Sequence, residues 1–99
     1  MGYMTDHTFE EPLSEEQVEA LENITGYSHE EGGDLYDAKW YEHQENMKEF
    51  SKLYPDQLFQ LNGEGEESGD IWREFYKNGK SFFQQPKIVY EEFKESDLK

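Results

Sequence analysis

An Asn-Gly pair near the C-terminal end constrains the fold of this chain more than any other feature. Asn78-Gly79 separates two aromatic-rich runs, 71–77 and 80–84. Both residues tolerate the positive φ angles that a two-residue type I′ turn requires, so the sequence predicts a β-hairpin. The expected cross-strand pairs are Lys77 with Lys80, Phe75 with Phe82, and Glu74 with Phe83.

Two segments have the periodicity of amphipathic helices. A Ser-x-x-Gln capping box at Ser14 and Gln17 predicts a helix that ends near Gly26. A second helix is predicted over 42–54 and ends before Pro55. Its apolar face consists of His43, Met47, Phe50 and Tyr54.

The remaining segments complete an α+β pattern. Shorter strands are predicted at 35–41, 58–61 and 87–93, and the first of them should place Tyr36, Ala38 and Trp40 on one face. We therefore expect an antiparallel sheet of three to five strands with a helix packed on one face, plus an acidic N-terminal helix; a resemblance given below implies that this is a ferredoxin-like variant. The expected division of this single domain is a flexible arm at 1–12, an acidic helix and loop at 13–34, and the α+β core at 35–93.

Composition decides whether such a chain folds at all. It has 24 acidic and 9 basic residues, a net charge of −15 and only 33% hydrophobic residues, a combination typical of disorder. Aromatic residues make up 16% of the chain, however, and they supply the apolar area of a core. Without cysteine there is no disulfide and no thiolate chemistry, and no apolar run reaches membrane-span length. We expect a soluble protein of the host cytoplasm, without signal peptide or lipid anchor.

The negative charge is concentrated in the first part of the chain. Residues 1–38 contain eleven acidic residues and no Lys or Arg. Such an asymmetry indicates an anionic surface for a basic partner, although a solvated face that maintains solubility is the simpler alternative. The predicted partner-binding residues in this part are Glu15, Glu16, Glu19, Glu22, Glu30, Glu31, Asp34 and Asp37.

A glycine-containing loop adds a second acidic group. Glu64, Glu66, Glu67 and Asp70 lie within seven residues, and we predict that they extend the contact surface. Oxygen ligands of this kind also suit Ca²⁺ or Mg²⁺, so cation binding by the loop stays open. The spacing is not that of an EF-hand.

The three histidines, His7, His29 and His43, show no zinc-ligand spacing and no pairing with a nucleophile. We therefore predict no catalytic residue, no metal site and no cofactor. The aromatic residues suit base stacking, but the net charge opposes phosphate, so direct nucleic-acid binding is not expected.

Part of the chain resembles a group of small proteins encoded by phages and plasmids, the ferredoxin-like domains related to YubB. The resemblance covers about half of the chain, from Tyr36 to Phe83. The matching residues are Lys39-Trp40, Ser51 with Tyr54-Pro55, the loop Gly63-Glu64-Gly65-Glu66-Glu67, Gly69-Asp70 with Trp72, and Tyr76-Lys77-Asn78-Gly79-Lys80. It implies a mobile-element context, and no catalytic residue carries over.

Charge and context together predict an inhibitor of a host defence nuclease, either an anti-CRISPR or an anti-restriction protein. It would act by nucleic-acid mimicry, with its carboxylates in a basic nucleic-acid-binding cleft. The alternative is an interaction or accessory module that uses its aromatic sheet face, where a homodimer would also form.

Overall fold

The computed structural model describes residues 4–67, 69–86 and 93–98. These residues form an α+β structure in which two helices pack on one face of a five-stranded antiparallel sheet. The strands are β1 (Thr5–Phe9), β2 (Leu35–Ala38), β3 (Phe59–Glu64), β4 (Ile71–Lys77) and β5 (Lys80–Gln84), in the spatial order β2-β1-β3-β4-β5. The helices are α1 (Glu15–Thr25) and α2 (His43–Leu53), and short 3₁₀ turns lie at Glu31–Gly33 and Glu95–Asp97.

The hairpin and both helices confirm the local sequence patterns. Asn78 and Gly79 have φ angles of 47° and 79°, and the three predicted cross-strand pairs are present. The Ser14 hydroxyl accepts a hydrogen bond from the backbone of Gln17, and the side-chain oxygen of Gln17 accepts one from the backbone N–H of Ser14. Gly26 ends α1 in the left-handed conformation.

The core lies between the helices and one face of the sheet. Because side chains alternate along a strand, Phe9, Leu61 and Tyr76 face α2 from three neighbouring strands. Met47 and Phe50 of α2 are fully buried against them, and α1 contributes Leu21. Few residues of this chain are hydrophobic, so the aromatic side chains supply much of the apolar area that the core buries.

The expected flexible arm at 1–12 is wrong for Thr5–Phe9, which forms β1 between β2 and β3. His7 and Phe9 point into the core while Asp6 and Thr8 point away, a period-two pattern. The pattern was missed because its inward residues include a histidine rather than only apolar side chains.

Two further strand predictions need adjustment, and a third is not tested. β2 ends at Ala38, and Tyr36 is exposed rather than facing inward, because the pairing of β1 with β2 is irregular and Asp37 has a φ of 53°. β3 extends to Glu64, further than predicted. Residues 87–92 of the predicted edge strand lie outside the described residues.

Neither helix in the described ranges is long and apolar enough to cross a membrane.

Candidate functional site

Two imidazoles and a carboxylate meet on the helix-covered face of the sheet. His7 lies on β1, Glu74 on β4, and His43 begins α2 above them. Each offers one nitrogen or oxygen atom, and these three atoms all lie within 4.8 Å of one another. Among the described residues, no other group of three or more His, Asp or Glu residues brings ligand atoms together in this way.

A glycine on the strand between β1 and β4 makes room for the cluster. Gly63 pairs with His7 on one side and with Trp72 on the other. The Trp72 ring lies so close over Gly63 that a Cβ at that position would stand 2.0 Å from it. Gly63 thus allows the indole to lie flat over the sheet, with its ring centroid 5.8 Å from that of His7.

Glu74 is buried but fully engaged by hydrogen bonds. Its Oε1 accepts from Nδ1 of His43 at 2.8 Å and from the hydroxyl of Tyr76, and its Oε2 accepts from Nε1 of Trp72 at 2.6 Å. Burial alone would raise the pKa of Glu74, but these hydrogen bonds lower it below the ordinary value. The carboxyl group is therefore ionised at neutral pH.

Tyr76 stays protonated beside this carboxylate. Burial, together with the hydrogen bond to Glu74, raises the pKa of Tyr76 above its ordinary value. The phenol is consequently a fixed donor to Glu74.

His7 is the least satisfied member of the cluster. It is 1% exposed, and its Nε2 is buried without a hydrogen-bond partner in the part of the chain that the structure describes. Its Nδ1 lies 3.4 Å from the hydroxyl oxygen of Thr5, and that hydroxyl donates to the carbonyl of Ala38. Since the Thr5 proton is used, Nδ1 of His7 is the donor, and the lone pair of the ring lies on Nε2.

The surroundings keep the His7 ring neutral. Burial, followed by the neighbouring His43, lowers the pKa of His7 from 6.5 to about 4. Trp40 packs edge-on against His7, with ring centroids 5.0 Å apart. The two indoles, Trp40 and Trp72, thus form apolar walls around the imidazoles, and His43, with 18% of its side chain exposed, is the solvent-facing member.

His29 is close to this cluster but differs from His7 in its hydrogen bonding. Its Nδ1 donates to the carbonyl of Gly33 and its Nε2 accepts from the hydroxyl of Thr25, each at 2.9 Å. Burial lowers the pKa of His29, so the neutral ring is the stable form. Both nitrogens are used, which makes His29 a structural residue.

No family model, no curated protein and no solved structure matches this chain. The likeness to domains related to YubB accordingly rests on sequence residues between Tyr36 and Phe83 alone. The function is therefore inferred from the residues of this chain.

The acidic residues predicted as a partner surface divide into two groups. Glu15, Glu16 and Glu19 are exposed along α1, and α1 contacts the 3₁₀ turn that carries Glu31 beside exposed Glu30. At the other end of β2, Asp37 lies next to Asp6, whose carboxylate accepts from the Asp37 backbone. Since Asp6 also pairs with Glu64 at the end of β3, the loop acids belong to this second group: Glu64, Glu66, Glu67 and Asp70.

Three of the predicted acids also have structural roles. Glu22 accepts a hydrogen bond from the backbone of His29 at 2.8 Å. Asp34 accepts from the backbone of Phe9, and Glu66 accepts from the backbone of Met4. Replacing these residues would change local structure as well as charge.

Sequence reasoning missed the His7–His43–Glu74 cluster because its members come from three separate elements. Two signals were nevertheless present. Glu74 alternates with Trp72 and Tyr76 on one face of the predicted hairpin, which places an acid among aromatic residues. His43 lies on the apolar stripe of α2, and so faces the sheet.

Proposed function

We propose that the protein is a binding protein, not an enzyme, which occupies the basic nucleic-acid-binding cleft of a host protein with the carboxylates of α1 and the adjoining turn. The observation that supports this most is the row formed by Glu15, Glu16 and Glu19. All three are exposed, and none forms an ion pair with Lys or Arg in the described residues. Duplex DNA likewise presents closely spaced, unneutralised negative charges to its partners.

The distribution of basic residues supports the same surface. Lys77 and Lys80 lie on the β4–β5 hairpin, and Lys52 lies against Gly79 in the same hairpin. This places them on the strands farthest from β2 and the acidic turn before it, since β2 and β5 are the two edges of the sheet. A basic cleft would therefore be attracted more strongly to α1 and the acidic turn than to the β4–β5 hairpin.

The most specific form of the proposal is an anti-CRISPR or anti-restriction inhibitor in the host cytoplasm. This form of the proposal rests on the resemblance to mobile-element proteins. The same resemblance suggests that the α+β fold is related to ferredoxin-like domains. The five-stranded antiparallel sheet is compatible with that relation.

The experiment measures inhibition of purified host nucleases, a CRISPR effector and a restriction enzyme, in DNA-binding and DNA-cleavage assays. We expect inhibition to be competitive with DNA and to weaken at least ~10-fold between about 50 and 200 mM salt. The test variant reverses Glu15, Glu16 and Glu19 to Lys. The matched control reverses Glu45, Glu49 and Asp56, which are also exposed and change the net charge equally.

The α1 variant should lose inhibition and the control should retain it. If the two variants inhibit equally, the α1 surface is not the binding site. If no basic nuclease is inhibited by the unaltered protein, the mimicry proposal fails altogether.

A second candidate function uses the sheet face opposite the helices. On that face Phe75 and Phe82 pair across the hairpin with ring centroids 6.3 Å apart, and Phe82 and Ile71 are exposed. Beside them lies a groove of about 750 Å³, and no described element covers it. An interaction module or a homodimer using this face would keep its affinity at high salt, because apolar contact is not screened.

A further inference from the structure

The cluster on the helix-covered face of the sheet contains one buried polar atom without a hydrogen bond in the described residues. His7 is 1% exposed, yet its Nε2 has no hydrogen-bond partner among the described residues. A buried polar nitrogen in this state has lost its hydrogen bonds to water and gained none in return, which destabilises the folded chain. An apolar side chain at position 7 would avoid that cost.

We propose that His7, His43 and Glu74 form a binding site for one divalent transition-metal ion of the zinc class. The lone pair on Nε2 of His7 is then the first ligand. The other two ligands are a ring nitrogen of His43 and Oε1 of Glu74.

The spacing of the three donors suits one ion. Two donor atoms bound to the same zinc at ~2.0–2.2 Å each stand roughly 3–3.5 Å apart. Nδ1 of His43 and Oε1 of Glu74 are already 2.8 Å apart, and one ring nitrogen of His7 lies within 4.8 Å of a ligand atom of each of these two residues. His43 is partly exposed at the start of α2 and is the member with room to adjust.

The shared proton between His43 and Glu74 is the group that the ion replaces. A carboxylate can only accept, so Nδ1 of His43 carries a proton in this hydrogen bond. On binding, that proton moves to the other ring nitrogen or to solvent, and the Nδ1 lone pair becomes available to the ion. Binding therefore involves no change of oxidation state.

Surrounding groups hold two of the ligands in place, as the outer partners of metal ligands do. Thr5 accepts from Nδ1 of His7 and so leaves the ring lone pair on Nε2. Trp72 donates to Oε2 of Glu74, which turns Oε1 toward the imidazoles.

The donor set selects the class of ion. Imidazole nitrogens suit Zn²⁺, Co²⁺ and Ni²⁺, whereas Ca²⁺ and Mg²⁺ take oxygen ligands and larger coordination numbers. Three protein ligands leave a fourth position for water, and His43 is the partly exposed member of the three. The sequence alone predicts no metal site, because His7 and Glu74 meet only when β1 enters the sheet.

The test is calorimetric titration of the full, tag-free chain with Zn²⁺ and with Co²⁺ in excess Mg²⁺. Excess Mg²⁺ suppresses binding to sites made only of surface carboxylates. We expect one ion per chain. The variants His43→Gln and Glu74→Gln should weaken binding at least ~10-fold, since even the loss of an outer partner costs ~10–100-fold.

The matched control is His29→Gln, which removes a buried imidazole outside the cluster. It should leave the affinity for Zn²⁺ unchanged. The proposal is overturned if the unaltered chain binds no Zn²⁺ in excess Mg²⁺, or if His43→Gln retains the full affinity.

A second measurement uses the unaltered chain, so it remains valid even if the variants do not fold. Trp40 and Trp72 are the two tryptophans of the chain, and both flank the cluster. Co²⁺ in the site should shift or broaden both indole N–H signals in the NMR spectrum. Perturbation confined to surface Asp and Glu residues, with both indole signals unchanged, would overturn the proposal.

Discussion

At the scale of single residues, the contact between Gly63 and Trp72 shapes the interior most directly. A Cβ at position 63 would stand 2.0 Å from the indole. Gly63→Ala must displace the ring, and overpacking of this kind costs ~1–3 kcal/mol. Displacement also weakens the hydrogen bond from Trp72 to Glu74.

We predict that Gly63→Ala lowers the free energy of unfolding in urea by this amount. Trp72→Phe presents a smaller ring, so the double variant should lose less stability than the sum of the single variants. Purely additive losses would show that the two residues are not in contact as described.

At the scale of elements, one buried serine joins α2 to the β4–β5 hairpin. Ser51 is fully buried, donates to the carbonyl of Lys48 and accepts from the backbone of Gly79 at 2.8 Å. Ser51→Ala would leave the Gly79 N–H without its partner. Gly79 is half-buried, so water can satisfy its N–H in part, and the lost hydrogen bond costs about 1 kcal/mol.

We predict that Ser51→Ala lowers the unfolding free energy by that amount and speeds hydrogen exchange at the Gly79 amide. Ser28→Ala is the control, because Ser28 is exposed and has no described partner. Equal stability of the two variants would mean that Ser51 does not hold the hairpin.

At the scale of the whole molecule, the net charge of −15 acts against the folded state. Like charges on the compact chain repel, and salt screens that repulsion over about 10 Å at 0.1 M. The melting temperature should therefore rise as NaCl is added up to a few tenths molar. A variant with Glu15, Glu16 and Glu19 changed to Gln should melt higher at low salt and respond less to NaCl. A melting temperature that falls with NaCl would contradict this description of the charge.

The sequence predicts those parts of the fold that depend on local chemistry. Asn78-Gly79 specifies its turn by backbone preference, and Ser14 with Gln17 specifies the start of α1, so both are found as expected. β1 could not be predicted in this way, because its place between β2 and β3 depends on partners distant in the chain.

The candidate metal site could not be predicted from the sequence either, because it too depends on contacts between residues distant in the chain. His43 and Glu74 are 31 residues apart, and His7 comes from β1. No motif spacing joins these residues, since only the register of three strands and the position of α2 bring them together. The acidic surface, in contrast, follows from composition, and the structure adds its division into two groups.

The cluster of His7, His43 and Glu74 is the central claim about the chemistry of this protein, and anomalous diffraction tests it most directly. Crystals grown with Zn²⁺ in excess Mg²⁺ would be measured on both sides of the zinc absorption edge. We predict one anomalous peak between Nε2 of His7, His43 and Oε1 of Glu74, within ~2.0–2.2 Å of each ligand atom. Zinc peaks only among surface carboxylates, with none between the two imidazoles, would contradict the account.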